Sequence, residues 1–244
     1  MKKLVLIALL FFAQTISAEY NKQLYDSVIS GDYDHAASIA KRLHTNNVSE
    51  LQETISKLIS DKIRNLVDFS YRLWTTGSRE IITDNFPIQF RLFYNDRAIK
   101  ITDAKYGYSI KLTPGQNKAI INISDNTNVR SSWVFKPLWE SNKLYFKIWN
   151  ADSNSYLEFG EKDANGIQPL IGSDRASSER FQWYLVPDKN AATSEIFFYI
   201  YNRKFNDPIE INLKENSNDE QQLFGELTRT DVNFEHYGWN FEPL

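Results

Sequence analysis

The chain has 244 residues, of which 28 are basic and 31 acidic, a formal net charge of −3 at pH 7, and no cysteine. The lack of thiols excludes disulfides, a cysteine nucleophile and a thiolate metal site. The acidic balance disfavours nucleic acid and anionic membranes as partners.

Residues 1–18 have the pattern of a secretory signal peptide. Lys2 and Lys3 precede an apolar run over residues 4–13 that is too short to span a bilayer, and Ala18 supplies a small residue for cleavage. Cleavage would remove two of the 28 basic residues and leave a net charge of −5. Since no other segment approaches transmembrane length, we expect a soluble, extracellular mature protein.

Residues 19–85 carry helical periodicity. Apolar residues recur three and four apart in successive stretches, the first of which ends before Gly31 and the last before Gly77. Ser49 and Gln52 have the spacing of a capping box at the start of the longest stretch. The pattern predicts a small all-α domain of three or four helices.

Tyr71 and Trp74 are aromatic residues left over from the packing of these helices. They are expected to dock on the domain that follows, where they would form either ordinary interdomain core or the lining of a lipid groove.

Residues 86–244 repeat a short phrase three times. Trp, an apolar residue and Pro stand two apart in each copy, so that all three lie on one face of a strand, and the Pro is expected to stop the strand. The closing copies begin at Trp133, Trp183 and Trp239, and similar opening phrases begin at Phe90, Phe146 and Phe198.

Shorter alternating stretches between the opening and closing phrases add about two strands to each repeat. Propellers typically need at least four blades. Three copies of about four strands therefore predict a β-trefoil whose core contains the three Trp side chains. The predicted fold class is α+β, with a helical domain over residues 19–85 followed by an all-β trefoil domain over residues 86–244.

Five strings along the chain resemble the thirty-kilodalton lipoproteins of moth haemolymph, a family that includes microvitellogenin. They are YRLWTTGSREII at 71–82, FPIQFRL at 86–92, LWESNKLYFKI at 138–148, FYIYNR at 198–203 and EHYGW at 235–239. The resemblance implies a helical domain packed on a β-trefoil, abundance in larval haemolymph and uptake into eggs. It also implies amino-acid storage, association with lipids and sugars, and a link to glucan recognition in immunity. Related chains often carry a few cysteines, and this chain departs from them in having none.

No pattern points to catalysis, a metal or a cofactor. The chain lacks a Gly-x-Ser-x-Gly elbow, a zinc-binding His-Glu-x-x-His helix, a phosphate-binding loop and a dinucleotide fingerprint. His35 and His44 are nine residues apart and do not share a helix face as a metal pair would. We therefore expect a protein that is not an enzyme.

Two groups of residues have the chemistry of a sugar site, in which polar groups bind hydroxyls and an aromatic ring covers the apolar sugar face. The alternative is that they form polar turns. The position two before each Trp lacks the Gln of ricin-type lectins. The second repeat supplies Asp152, Asn154, Tyr156, Asp163 and Asn165, and the first supplies Asp103, Lys105 and Tyr106.

Asn47 and Asn122 each begin an N-glycosylation sequon. Asn47 falls in a predicted loop, whereas Asn122 falls in a strand-like run. Only Asn47 is therefore expected to be readily accessible.

The leading hypothesis is a secreted, monomeric haemolymph and egg-yolk storage protein that carries lipid, sugar or both and is taken up through an oocyte receptor. The alternative is a glycan-recognition protein that binds glucan in innate immunity. A third hypothesis, an inhibitor of a secreted protease, rests only on the use of one exposed loop by another trefoil family.

Overall fold

A computed structural model describes residues 19–113, 119–122, 131–162, 164, 167–211, 220–225 and 237–244. In these residues a group of N-terminal helices precedes a large antiparallel β-sheet region. The predicted signal peptide lies outside the described residues.

Residues 19–85 contain five α-helices, where three or four were expected, and a sixth, short helix follows. Asn21 caps the first helix, whose end is set by Gly31 with a φ of 78°. The third helix is capped by Asn47, which accepts from the Glu50 N–H, so the predicted capping box at Ser49 is wrong by two positions. The helices are α1 Lys22–Ser30, α2 Tyr33–Asn46, α3 Val48–Ser60, α4 Asn65–Thr75, α5 Arg79–Asn85 and α6 Gln89–Leu92.

The sequence predicted a strand beginning at Phe90. This prediction is wrong, because the segment forms α6. The chain turns at Pro87, whose carbonyl accepts from the Phe90 N–H, and Phe90 and Phe93 then share one helical face at a spacing of three. The first strand begins at Ile99 instead. The domain boundary between residues 85 and 86 stays a prediction.

Twelve strands follow in the described residues. Two of them continue past the Pro that was expected to stop them. A Pro, which has no N–H, is tolerated there because every second N–H group of an antiparallel strand points away from the partner strand and makes no hydrogen bond to it. The strands are β1 Ile99–Asp103, β2 Ile110–Leu112, β3 Ala119–Asn122, β4 Trp133–Glu140, β5 Lys143–Asn150, β6 Ser155–Phe159, β7 Gln168–Ser173, β8 Trp183–Lys189, β9 Ile196–Asn202, β10 Glu210–Ile211, β11 Glu220–Gly225 and β12 Gly238–Pro243.

Six of these strands pair in a closed ring, in the order β1, β4, β5, β8, β9, β12 and back to β1. The other six form three hairpins, β2–β3, β6–β7 and β10–β11. Strand β11 also pairs with β3 and β7, which joins the hairpins to one another. The β region is thus built from three successive units of four strands.

The three repeated Trp residues occupy matching places in these units. Trp133, Trp183 and Trp239 are all fully buried, as predicted. Their Nε1 atoms donate to carbonyl oxygens in or next to the first strand of the preceding hairpin, at 3.0, 3.0 and 3.3 Å; the acceptors are Ile110, Leu157 and Ile209 respectively. Each Trp therefore fills the core and holds a hairpin to the ring.

Phe93, just beyond α6, joins the helices to the strand ring. It is fully buried, and its ring centroid lies 4.9 to 5.9 Å from those of four phenylalanines on four strands of the ring. Three of the four contacts are edge-to-face, the favoured geometry for aromatic pairs. The four partners are Phe135, Phe146, Phe198 and Phe241.

Replacing Phe93 by Ala should lower the free energy of unfolding by about 3–5 kcal/mol, because it leaves a cavity where four strands converge. Urea unfolding followed by tryptophan fluorescence measures the change. The control Ile88→Ala removes a side chain that is 54% exposed and should change stability by at most about 0.5 kcal/mol. Equal effects of the two substitutions would contradict the role of Phe93.

Candidate functional site

Asp103 organises a turn, and its role in a glycan site stays a prediction. The residue is 1% exposed. Its Oδ1 accepts from the N–H groups of Lys105 and Tyr106, at 3.2 and 2.6 Å, and its Oδ2 from that of Tyr108, at 2.6 Å. Burial raises the pKa of the Asp103 carboxyl, and these N–H groups act in the opposite direction.

Asn150 and Asn202 hold the matching turns of the other two units, a role that the sequence patterns did not reveal. Asn150 Oδ1 accepts from Ser153 N at 2.9 Å, and Asn202 Oδ1 accepts from Lys204 N at 3.0 Å. Each of the three turn residues lies directly opposite one repeated Trp; the pairs are Asp103 with Trp239, Asn150 with Trp133, and Asn202 with Trp183. The Asn that ends the opening phrases at Phe146 and Phe198 was the sequence feature from which this role could have been predicted.

Four side chains meet on the outer surface of β4, β5 and β6, and we call them the aromatic platform: Lys136, Trp149, Asn154 and Tyr156. Trp149 lies directly opposite Tyr156. The Lys136 ammonium is 4.2 Å from the Trp149 ring centroid and 3.3 Å from Tyr156 Oη. Asn154 Oδ1 accepts from Trp149 Nε1 at 3.3 Å. The structure therefore brings two predicted residues, Asn154 and Tyr156, together with two that were missed.

Asp152 of the second repeat is not part of this cluster. Asp152 is exposed, and its Oδ2 accepts from Ser132 N at 3.0 Å. Asp163 and Asn165 lie outside the described residues.

The matching surfaces of the other two units differ from the platform. In the first unit the pair that corresponds to Trp149 and Tyr156 is Thr102 and Ser109. In the third unit it is Tyr201 and Pro208, and Tyr201 is stacked on Tyr184 with centroids 5.2 Å apart. The Arg64 guanidinium covers Tyr184 at 3.9 Å. Within the described residues, the platform thus arises in one of three related places.

Lys105 and Tyr106 form a smaller aromatic surface on the turn of the first unit. Tyr106 is 44% exposed and stacks on Tyr108 with centroids 5.7 Å apart. The Lys105 ammonium lies 5.1 Å from the Tyr106 ring centroid. These two predicted residues are adjacent to each other but not to the platform candidates of the second repeat.

Tyr71 and Trp74 lie at the contact between the helices and the strand ring. Tyr71 packs against Tyr94 and against Trp139 of β4, with centroids 5.4 and 5.8 Å apart. Trp74 packs against Tyr94 at 5.6 Å, and the Arg79 guanidinium lies 4.7 Å from its ring centroid. Both side chains therefore pack on other aromatic rings at this contact, as the interdomain-core alternative describes, and a lipid groove at these two residues stays a prediction.

A cavity of about 300 Å³ lies elsewhere along the same contact, between α3, residues 84–87 and the β8–β9 hairpin. We call it the seam cavity. Its lining is mixed, and the polar lining residues are Gln52, Ser56, Asp84, Asn85, Lys189 and Ser194. The apolar lining residues are Ile55, Ile59, Phe86, Pro87 and Ile196.

Asn85 lines the seam cavity, and its amide oxygen is buried. The residue is 9% exposed, and its Nδ2 donates to Ile81 O at 2.9 Å and lies 3.0 Å from His44 Nδ1. Because a carbonyl oxygen can only accept, the contact with Ile81 fixes which amide atom is the nitrogen. Asn85 Oδ1 finds no donor among the described residues.

The two sequons differ in what the structure shows. Asn47 is exposed, and its side chain caps α3. Asn122 pairs with Glu220 between β3 and β11, in agreement with its prediction as a strand residue. Occupancy of either sequon stays a prediction.

Among the residues that the structure describes, no group of histidines and carboxylates is arranged to hold a metal ion. No helix in the same residues is both long and apolar enough to cross a bilayer.

Asp207 is a buried carboxyl in the turn between β9 and β10. It is 8% exposed, and its Oδ2 has no hydrogen-bond donor among the described residues. Burial raises the pKa of Asp207 to about 6, with Lys162 acting in the opposite direction. This group therefore titrates in a range where an exposed carboxyl is already ionised.

A model of the lepidopteran low molecular weight (30 kD) lipoprotein family matches residues 18–243. The chain is 33% identical to low molecular mass lipoprotein 3 of Bombyx mori, with all of both chains covered. It is 31% identical to microvitellogenin of Manduca sexta, with 98% of each chain covered. Among solved structures, the designed threefold-symmetric protein ThreeFoil matches 60% of this chain and 99% of its own at 12% identity and a TM-score of 0.47.

The raised pKa of Asp207 predicts a pH dependence of stability. The folded state holds the Asp207 proton up to pH of about 6 whereas the unfolded state releases it near 3.8, so this group lowers stability as the pH rises between these values. Asp207→Asn cannot ionise, so between these pH values its free energy of unfolding should fall by about 1–3 kcal/mol less than that of the wild type. Urea unfolding at several pH values measures it, and identical pH profiles for the two proteins would contradict the assignment.

Proposed function

The chain belongs to the lepidopteran low molecular weight (30 kD) lipoprotein family, and from this membership we propose that it is a secreted haemolymph protein that stores amino acids and carries lipid. Removal of residues 1–18 would release it into the haemolymph, and egg yolk, reached through an oocyte receptor, is a further destination. It acts as a monomer without catalytic activity.

We infer that the β region is a β-trefoil forming a domain of its own. A ring of six strands with three attached hairpins is the arrangement expected of that fold. The equivalent Trp residues and the equivalent turns support a threefold relation between the units.

The observation that carries the lipid proposal is the seam cavity. Its volume of about 300 Å³ lies at the lower end of the range for small-molecule sites. The apolar part of the lining suits an acyl chain, and the polar part, which includes Ser56, Asn85 and Lys189, suits a polar head group. A small amphiphile has both features.

Glycan recognition is a second function, and the aromatic platform favours it. Trp149 and Tyr156 are half-buried side by side on the outer surface, with Asn154 beside them to bind hydroxyl groups. Amphipathic aromatic rings of this kind pack on the apolar faces of sugars while polar neighbours set the orientation.

Filling the seam cavity should abolish lipid carriage. Ser56 lines the cavity, so Ser56→Trp should remove most of the lipid recovered by solvent extraction of the full secreted protein, as measured by mass spectrometry. Ser60→Trp places the same ring at an exposed position at the end of α3 and should retain the lipid of the wild type. Lipid-free wild-type protein would contradict the carrier function, and equal lipid in both variants would place the lipid elsewhere.

Truncating the platform should weaken glycan binding. Trp149→Ala and Tyr156→Ala should each reduce affinity for a glucan oligosaccharide about three- to tenfold, because each removes an aromatic contact. Retention on a glucan column with elution by free sugar provides the measurement. Tyr20→Ala removes another exposed ring and serves as the control. Unchanged retention of the Trp149 variant would exclude the platform as the site.

A further inference from the structure

Two lysines face each other at the aromatic platform. Lys136 of β4 lies directly opposite Lys147 of β5, and both are half-buried. Like charges in this position destabilise a sheet. Neither ammonium forms an ion pair with a carboxylate of the described residues. In a chain of net charge −3, this is a local excess of positive charge to which the described residues supply no counter-ion.

The lysines and the rings share one surface. Trp149 follows Lys147 by two positions on β5, so the two side chains point to the same face of the strand. The Lys136 ammonium lies 4.2 and 5.3 Å from the ring centroids of Trp149 and Tyr156. The positive charge is therefore located where a sugar ring would have to pack.

The position of this ammonium discriminates between classes of sugar. A neutral sugar that stacked on Trp149 would displace the Lys136 ammonium and lose the cation–π interaction without replacing it. A sugar with an anionic group would draw the same ammonium into a charge-assisted hydrogen bond. Such a ligand would contact both the Trp149 ring and the Lys136 ammonium.

Nearby carboxylates already have other contacts. Asp152 accepts the Ser132 N–H. Burial raises the pKa of Glu158, which lies two positions after Tyr156. A hydrogen bond from Ser173 and the charge of Arg180 act in the opposite direction. Neither carboxylate is paired with the platform lysines.

We propose that the aromatic platform binds an acidic saccharide, whose carboxylate or sulfate group pairs with Lys136 and Lys147 while a sugar ring packs on Trp149 and Tyr156. The proposal rests on the glycan-binding function proposed above and adds the charge class of the ligand.

The test compares a hyaluronan hexasaccharide with neutral laminarihexaose by isothermal titration on the full secreted protein. The acidic sugar should bind about tenfold more tightly at low salt, and added salt should reduce the difference. Lys136→Ala and Lys147→Ala should each weaken binding of the acidic sugar about three- to tenfold, and Trp149→Ala should weaken binding of both sugars. Lys41→Ala, at an exposed position on α2, should change neither.

Removing either lysine also removes like-charge repulsion, so both variants should fold, which circular dichroism checks. Equal affinity for the two sugars would overturn the acidic preference and leave the glycan function standing. Acidic binding that survives both lysine substitutions would overturn this site. Failure of both sugars to bind would overturn the proposal together with the glycan function.

Discussion

The burial of Phe93 at the mouth of the strand ring is the contact on which the arrangement of the molecule depends. A single ring touches phenylalanines from β4, β5, β9 and β12, so four of the six strands of the ring share one partner. Since Phe93 follows α6 directly, its position also fixes where the helices meet the strands. The packing of Tyr71 on Trp139 and the shape of the seam cavity both depend on that placement.

The core of the ring and its surface are under different constraints. Each repeated Trp must fill the core and reach one carbonyl, and the residue opposite it must hold a turn, so Asp103, Asn150 and Asn202 perform one task in three places. The residue before each of them lies on the opposite face of its strand and differs among the three units. Thr102, Trp149 and Tyr201 occupy these positions, and the platform forms around Trp149.

Periodicity predicted the helices, the threefold phrase and the burial of its Trp residues, because all three follow from spacing along the chain. It wrongly predicted a strand at Phe90, because a Phe-rich string followed by Asn is compatible with a strand as well as with a short helical turn after Pro87. The candidate site was predicted in part. Asn154 and Tyr156 lie four and six residues from Asn150 and were found, whereas Lys136 belongs to another strand, and only the pairing of β4 with β5 and β6 brings it to them.

By itself, the sequence determined the family, the order of helices before strands and the threefold core. Each of these depends on local spacing or on strings of adjacent residues. The tertiary structure decided which polar residues are buried and which lie at the surface. Asp103 and Asn154 read alike in the sequence, yet one is buried under three backbone N–H groups and the other lies beside an outward ring. Burial and partnership depend on residues far away along the chain, and for this reason no local pattern could separate the two.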